Sequence, residues 1–233
     1  MGDFDLSGQS SIRRGRGRID LGQCAAPTTI LWMNRRPLLP FQDYQRIYQV
    51  IYSVLEASGV ARTHRACAFF ASIGTLILRD HYGLKATISM GSLALMVDTK
   101  NANVVIYGRE EGGEWVYDAK GFHAWVECEG WLIDFMAPIM GQALKEDGAL
   151  FHVPSKMLQK HLTDRKDDPR ALEREGDFFC HHDSSVAESV LDGQGVLFED
   201  LAKVCLAWFR KPPKALPPLA LGGNELFARS RWC

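Results

Sequence analysis

The sequence predicts an α+β fold, with helices first, then a mainly antiparallel sheet, then helices again. Three observations carry this. Apolar residues recur at helical spacing across residues 41–81. The period then shortens to two across residues 85–135. No helical stretch separates the strands of that second region, so short turns must join them and neighbouring strands must run in opposite directions.

The first helix is "FQDYQRIYQVIYSVLEASG". It sets Tyr44, Ile47, Tyr48, Ile51 and Leu55 on one face, and Gly59 closes it. The second is predicted over residues 64–81, with Thr63 as N-cap and Gly83 as stop. Its middle, "ACAFFASIGTLIL", is apolar almost all round, the mark of a buried central helix. Strand-like segments follow: "LKATISMGSLALMV", "NVVIYG", "EWVYD", "FHAWVEC" and "WLIDF", punctuated by Gly, Asn and Asp. Beyond them "PSKMLQKHL" reads as a short helix, "TDRKDDPRALEREGD" as charged surface and "FFCHHDSS" as a solvated loop. "GVLFEDLAKVCLAWFRK" reads as an amphipathic helix. The chain thus divides into a Gly-, Ser- and Arg-rich flexible arm (1–36), one α+β domain (37–211) and a Pro-rich tail packed on it (212–233).

The 27 basic residues nearly balance the 28 acidic ones. That balance offers no field for nucleic acid or an anionic membrane, and neither partner is expected. Arg13–Arg14 in the arm lacks the apolar run of a twin-arginine signal, because Asp20 and Gln23 interrupt it. "LGQC" fails as a lipoprotein box at Gln23, and no stretch reaches the ~18 apolar residues of a membrane span. The expected location is the cytoplasm. Cys24, Cys67, Cys128, Cys180, Cys205 and Cys233 are scattered with no CxxC pair, so they read as free thiols, and a redox role is disfavoured. No cofactor or metal is expected. "FFCHHDSS", even with His152 and His161, lacks the spaced ligand pairs of a zinc site.

The polar residues inside "GFHAWVECEGWLIDFMAP" need a reason. Along the first strand His123, Trp125 and Glu127 share a face. A two-residue turn at Glu129–Gly130 pairs Cys128 with Trp131 and sets Asp134 opposite Trp125. Asp134 is then the diagonal neighbour of His123, within reach of a hydrogen bond. An aspartate on one ring nitrogen fixes the tautomer and leaves the other for chemistry. A nucleophile must come from elsewhere. Cys67 stands near the start of the apolar helix, where the dipole and free backbone N–H groups favour a thiolate and can hold an oxyanion. Arg62, His64 and Arg65 add positive charge nearby. Cys180, beside His181 and His182, ranks second because it lacks the helix start and the paired aspartate.

Cysteine on a helix, histidine on a strand, aspartate on the next: this order resembles the transglutaminase-like branch of the papain-like cysteine proteinase superfamily, and an uncharacterised bacterial family of that fold. "HAWVECEGWLIDFMAP" is very similar to its His-Ala-Trp-Val-Glu strand and following Asp strand. "RACAFFASIGTLILRDHYGLKATISMG" resembles its Cys helix and first strand. The resemblance spans residues 66–138. It implies a Cys-bearing central helix packed on the sheet, and acyl transfer through a thioester on a peptide, amide or ester substrate. Cys67, His123 and Asp134 would be catalytic, with Trp125, Trp131 and His64 as possible cleft lining. Two departures stand out. Arg65 and Ala66 precede Cys67 where the family often has Trp, and the nearest upstream Gln is Gln49, on the previous helix, so the second oxyanion donor is unassigned. The alternative is a catalytically silent member of the fold that binds a peptide or protein in the same cleft.

Overall fold

The structure is a computed structural model that describes residues 10–11, 36–59, 62–111, 114–116, 121–192 and 196–209. Apart from Ser10, Ser11 and Arg36, the predicted arm lies outside these ranges. So do the predicted tail, Cys24 and Cys233.

Helix α1 (Phe41–Ser58) buries Tyr44, Ile47, Ile51, Val54 and Leu55, the stripe its spacing predicts, and ends at Gly59 in the left-handed conformation. Helix α2 (Cys67–Tyr82) starts later than predicted. A 3-10 turn over Thr63–Arg65 precedes it, so Thr63 is not its N-cap. Ala66 holds that position with no side-chain cap, and its N–H is taken by the Thr63 carbonyl. Cys67 thereby becomes the first residue of the helix. Helix α2 is buried from Cys67 to Leu78 except for the half-buried Leu76, and only its last turn reaches the surface. Gly74 lets it ride low on the sheet, since a Cβ there would lie 2.4 Å from the Phe135 ring.

The long strand β2 (Ala86–Asp98) organises the sheet, in which every pairing is antiparallel. Its other strands are β1 (Ser10–Ser11), β3 (Asn103–Tyr107), β6 (His123–Cys128), β7 (Trp131–Asp134), β8 (Leu158–His161) and β9 (Phe178–His182). Gly91 pairs with both His123 and His182, and Leu93 with both Tyr107 and Cys180. Strand β9 therefore lies along one side of β2, while β3 and β6 lie end to end along the other. Between them the chain leaves the sheet to form a small hairpin, β4 (Arg109–Glu111) with β5 (Glu114–Val116), so "EWVYD" does not join the main sheet.

One face of the sheet carries α2, α1 and α5 (Val196–Phe209) over Met90, Ala124, Val126 and Ile133. The other face is curled, and holds Leu93, Val105, Tyr107, Trp125, Leu132 and Phe178. The curl brings β8 back towards β2, and both line a cavity of about 240 Å³ beside Met140 and Val153. These two layers are an α+β architecture.

Two expectations are corrected. "PSKMLQKHL" contains β8, not a helix: Leu158–His161 pair along the free edge of β7, and that ladder outweighs a weak helical preference. "FFCHHDSS" is not a loop: Phe178–His182 form β9, and Asp183 leads into α4 (Ser184–Asp192). Helix α3 (Met140–Glu146), α4 and β4 have no counterpart in the sequence reading. No helix of the described residues is long and apolar enough to cross a membrane.

Candidate functional site

The β6–β7 hairpin sets the first two residues. Glu129 and Gly130 are both left-handed, with φ of 50° and 80°, as a tight two-residue turn requires. They pair Cys128 with Trp131, Glu127 with Leu132 and Val126 with Ile133. In this register His123 and Asp134 are diagonal neighbours, and His123 Nε2 lies 2.9 Å from Asp134 Oδ2. A carboxylate only accepts, so Nε2 carries the donated proton. The backbone N–H of Met136 donates to Oδ1 at 2.9 Å, and the Tyr44 hydroxyl donates to the Asp134 carbonyl, tying α1 to the pair. Leu158 of β8 pairs with the Asp134 backbone. The carboxylate is thus fixed through both oxygens and its own main chain.

His123 is 0 % exposed and Asp134 1 %. Burial pushes the imidazole pKa down, but the Asp134 charge and hydrogen bond and the nearby Cys67 push it up further, to about 10. The ring is an imidazolium at neutral pH. Cys67 lies near enough to the ring to help raise its pKa. With Nε2 engaged by Asp134, the nitrogen left for the thiol is Nδ1, which is buried and has no hydrogen-bond partner among the described residues. The structure therefore brings the three predicted residues together.

The flanking positive charge is a correction. Helix α3 neutralises it: Arg65 binds Asp147 through two contacts of 2.5 and 3.3 Å, and Arg62 and His64 reach Glu146 at 3.3 and 3.0 Å. The bond to Asp147 raises the Arg65 pKa, and the bond from His64 lowers that of Glu146. What remains beside Cys67 is the helix start itself. His64, expected as cleft lining, instead helps clamp the 3-10 turn to α3.

The two tryptophans are also not lining residues of this site. Trp125 is wholly buried in the inner core and donates its indole N–H to Glu127. Trp131 stands at the turn end of the hairpin against His161, about 17 Å along the strand from His123. Cys180 is buried on β9, and burial pushes its thiol up to about 11, while its neighbours His181 and His182 are exposed. Burial also raises the Cys128 thiol, and that of Cys205 to about 12. Gln49 is exposed on α1. No group of His, Cys, Asp and Glu among the described residues is arranged to hold a metal ion.

Sequence reasoning missed Tyr107. It ends β3 two positions along β2 from His123 and shares its face. Their rings stack, with centroids 4.2 Å apart and planes 22° from parallel. No local spacing could have found it, because the β4–β5 excursion separates the two residues in the chain.

Residues 40–226 match the model of a family described as proteins of unknown function, DUF2026. The chain belongs to that family. It is also similar to a solved structure described as the crystal structure of genomics APC5867. The two are 33% identical with a TM-score of 0.65, and the match covers 79% of this chain and 86% of that one. No curated protein matches.

Proposed function

We propose that this DUF2026 member is a thiol-dependent acyl-transfer enzyme with a papain/transglutaminase-like arrangement, acting on a peptide, amide or ester carbonyl. The observation that carries the reading is the buried His123–Asp134 hydrogen bond, with Cys67 close enough to act on the same ring. The order of a Cys-bearing helix, a His strand and an Asp strand supports the fold-level part.

The raised His123 pKa favours an ion pair over a neutral base. An imidazolium held by Asp134 stabilises a Cys67 thiolate through its second nitrogen. The thiolate attacks the carbonyl carbon, and the oxyanion meets N–H groups at the start of α2. His123 then gives its proton to the leaving amine or alkoxide, and a thioester remains on Cys67. Water resolves it in a hydrolase, an amine in a transferase.

A trapping experiment tests this. On exposure to p-nitrophenyl acetate, Cys67 takes up one acetyl group, which hydroxylamine removes. His123→Ala slows the acetylation at least tenfold. An unmodified Cys67 in the wild type would defeat the proposal. One observation favours a second reading: Cys67 is only 5 % exposed, as a silent peptide-binding module could tolerate. A silent module predicts no acetylation at Cys67.

A further inference from the structure

Tyr107 carries a hydroxyl the fold does not use. The residue is 4 % exposed, and the hydroxyl is buried with no hydrogen-bond partner among the described residues. A buried donor left unpaired destabilises the fold, whereas phenylalanine would fill the same space without that cost. The hydroxyl is also placed. Its ring lies flat on His123, and it feels the charges of Asp134, Cys67 and Arg65, which puts it at the junction of α2 and β6. Burial first, then the charges of Asp134 and Cys67, raise its pKa well above the ordinary value, so it keeps its proton. It is a neutral donor, stacked on His123 and within reach of the charges of Asp134 and Cys67, without an acceptor among the described residues.

A substrate carbonyl would bring an acceptor, and a stronger one once it is attacked. The start of α2 offers backbone N–H groups, and Gln49, the nearest upstream glutamine, is exposed on α1. We infer that the Tyr107 hydroxyl is the second oxyanion donor of this site. The inference rests on the acyl-transfer reading and completes it. As the Cys67 sulfur bonds to the carbonyl carbon, the C=O π pair moves onto oxygen. The Tyr107 O–H donates to that oxygen without transferring its proton. When the pair returns, the carbon–leaving-group bond breaks and the thioester forms. The neutral phenol faces a negative oxyanion, a stronger pairing than it could make with the ground-state carbonyl, so its contribution falls on the rate of acylation.

Two reagents on Tyr107→Phe and wild type separate this role from positioning. Acetylation by p-nitrophenyl acetate passes through an oxyanion. Alkylation by iodoacetamide is a substitution at a saturated carbon and does not. The expected result is an acetylation rate of Cys67 about 100-fold lower. Alkylation stays within about twofold, with a thermal midpoint no lower than wild type. Equal losses with both reagents would overturn the inference, because Tyr107 would then act only by holding His123. Unchanged acetylation would overturn it too, while leaving the acyl-transfer reading intact. A wild-type Cys67 that alkylates but never acetylates would bring down both.

Discussion

Asp134→Asn removes the charge that opposes burial at His123 and changes little else in shape. Without it, the two largest upward influences on the His123 pKa are gone, and desolvation, which lowers it, is opposed by Cys67 alone, so the pKa falls from about 10 towards the ordinary range. For a ring returned to the ordinary value of about 6.5, the imidazolium fraction at pH 8 is about 3%, a loss of roughly 30-fold, whereas at pH 6 the loss is under about twofold. If the ion pair is the reactive form, the rate of Cys67 alkylation or acetylation must show the same pH-dependent defect. The asparagine also offers one oxygen where the aspartate offers two, so either Met136 N–H or His123 Nε2–H loses its acceptor. That costs about 1–3 kcal/mol of stability, readable by urea titration at pH 6, where the rate effect is small. Reactivity profiles from pH 5 to 9 on both proteins decide the matter. A variant whose rate falls equally at pH 6 and pH 8, or does not fall at all, would refute the claim that Asp134 works by holding His123 protonated.

Two further outcomes follow from the same geometry. Because the folded pKa of His123 lies above its unfolded value, the stabilisation is complete below about pH 6.5 and is lost as the pH rises through about 10. The wild-type unfolding free energy from urea titration should decline over that window by at most a few kcal/mol, and His123→Gln should flatten the decline; an equal slope in both would exclude His123 as its source. Gly91, opposite His123 on β2, admits no side chain, since a Cβ would lie 2.0 Å from the His181 carbonyl oxygen. Gly91→Ala should therefore cost about 1–3 kcal/mol or more and slow Cys67 alkylation by displacing His123; an unaltered midpoint would mean that β9 yields at no cost.

Much of the site was legible because strand periodicity is strict. Side chains alternate with period two, so a two-residue turn at Glu129–Gly130 was enough to place Asp134 diagonal to His123. The apolar stripe of α1 and the all-round burial of α2 followed from composition in the same way. The misreadings were tertiary. "PSKMLQKHL" has helix-favouring residues, but the open edge of β7 recruits four of them as a strand. "FFCHHDSS" looked polar because His181 and His182 are exposed at the end of β9, while Phe178 and Cys180 point into the core. Thr63 looked like a cap, yet a 3-10 turn intervenes and brings Cys67 to the first position of α2. The basic cluster looked unopposed because its acidic partners, Glu146 and Asp147, lie at the C-terminal end of a helix the sequence reading did not contain. Tyr107 was beyond local reasoning altogether, since a hairpin excursion separates it from the ring it covers.

The most direct test of the central claim is alkylation by iodoacetamide at pH 7, followed cysteine by cysteine by mass spectrometry on wild type and His123→Ala. Cys128, Cys180 and Cys205 have thiols raised by burial and should react slowly. The account predicts that Cys67 reacts fastest among the four described cysteines, and that His123→Ala slows it at least tenfold while leaving the others unchanged. A Cys67 that reacts no faster than Cys128, or whose rate is indifferent to His123, would contradict it.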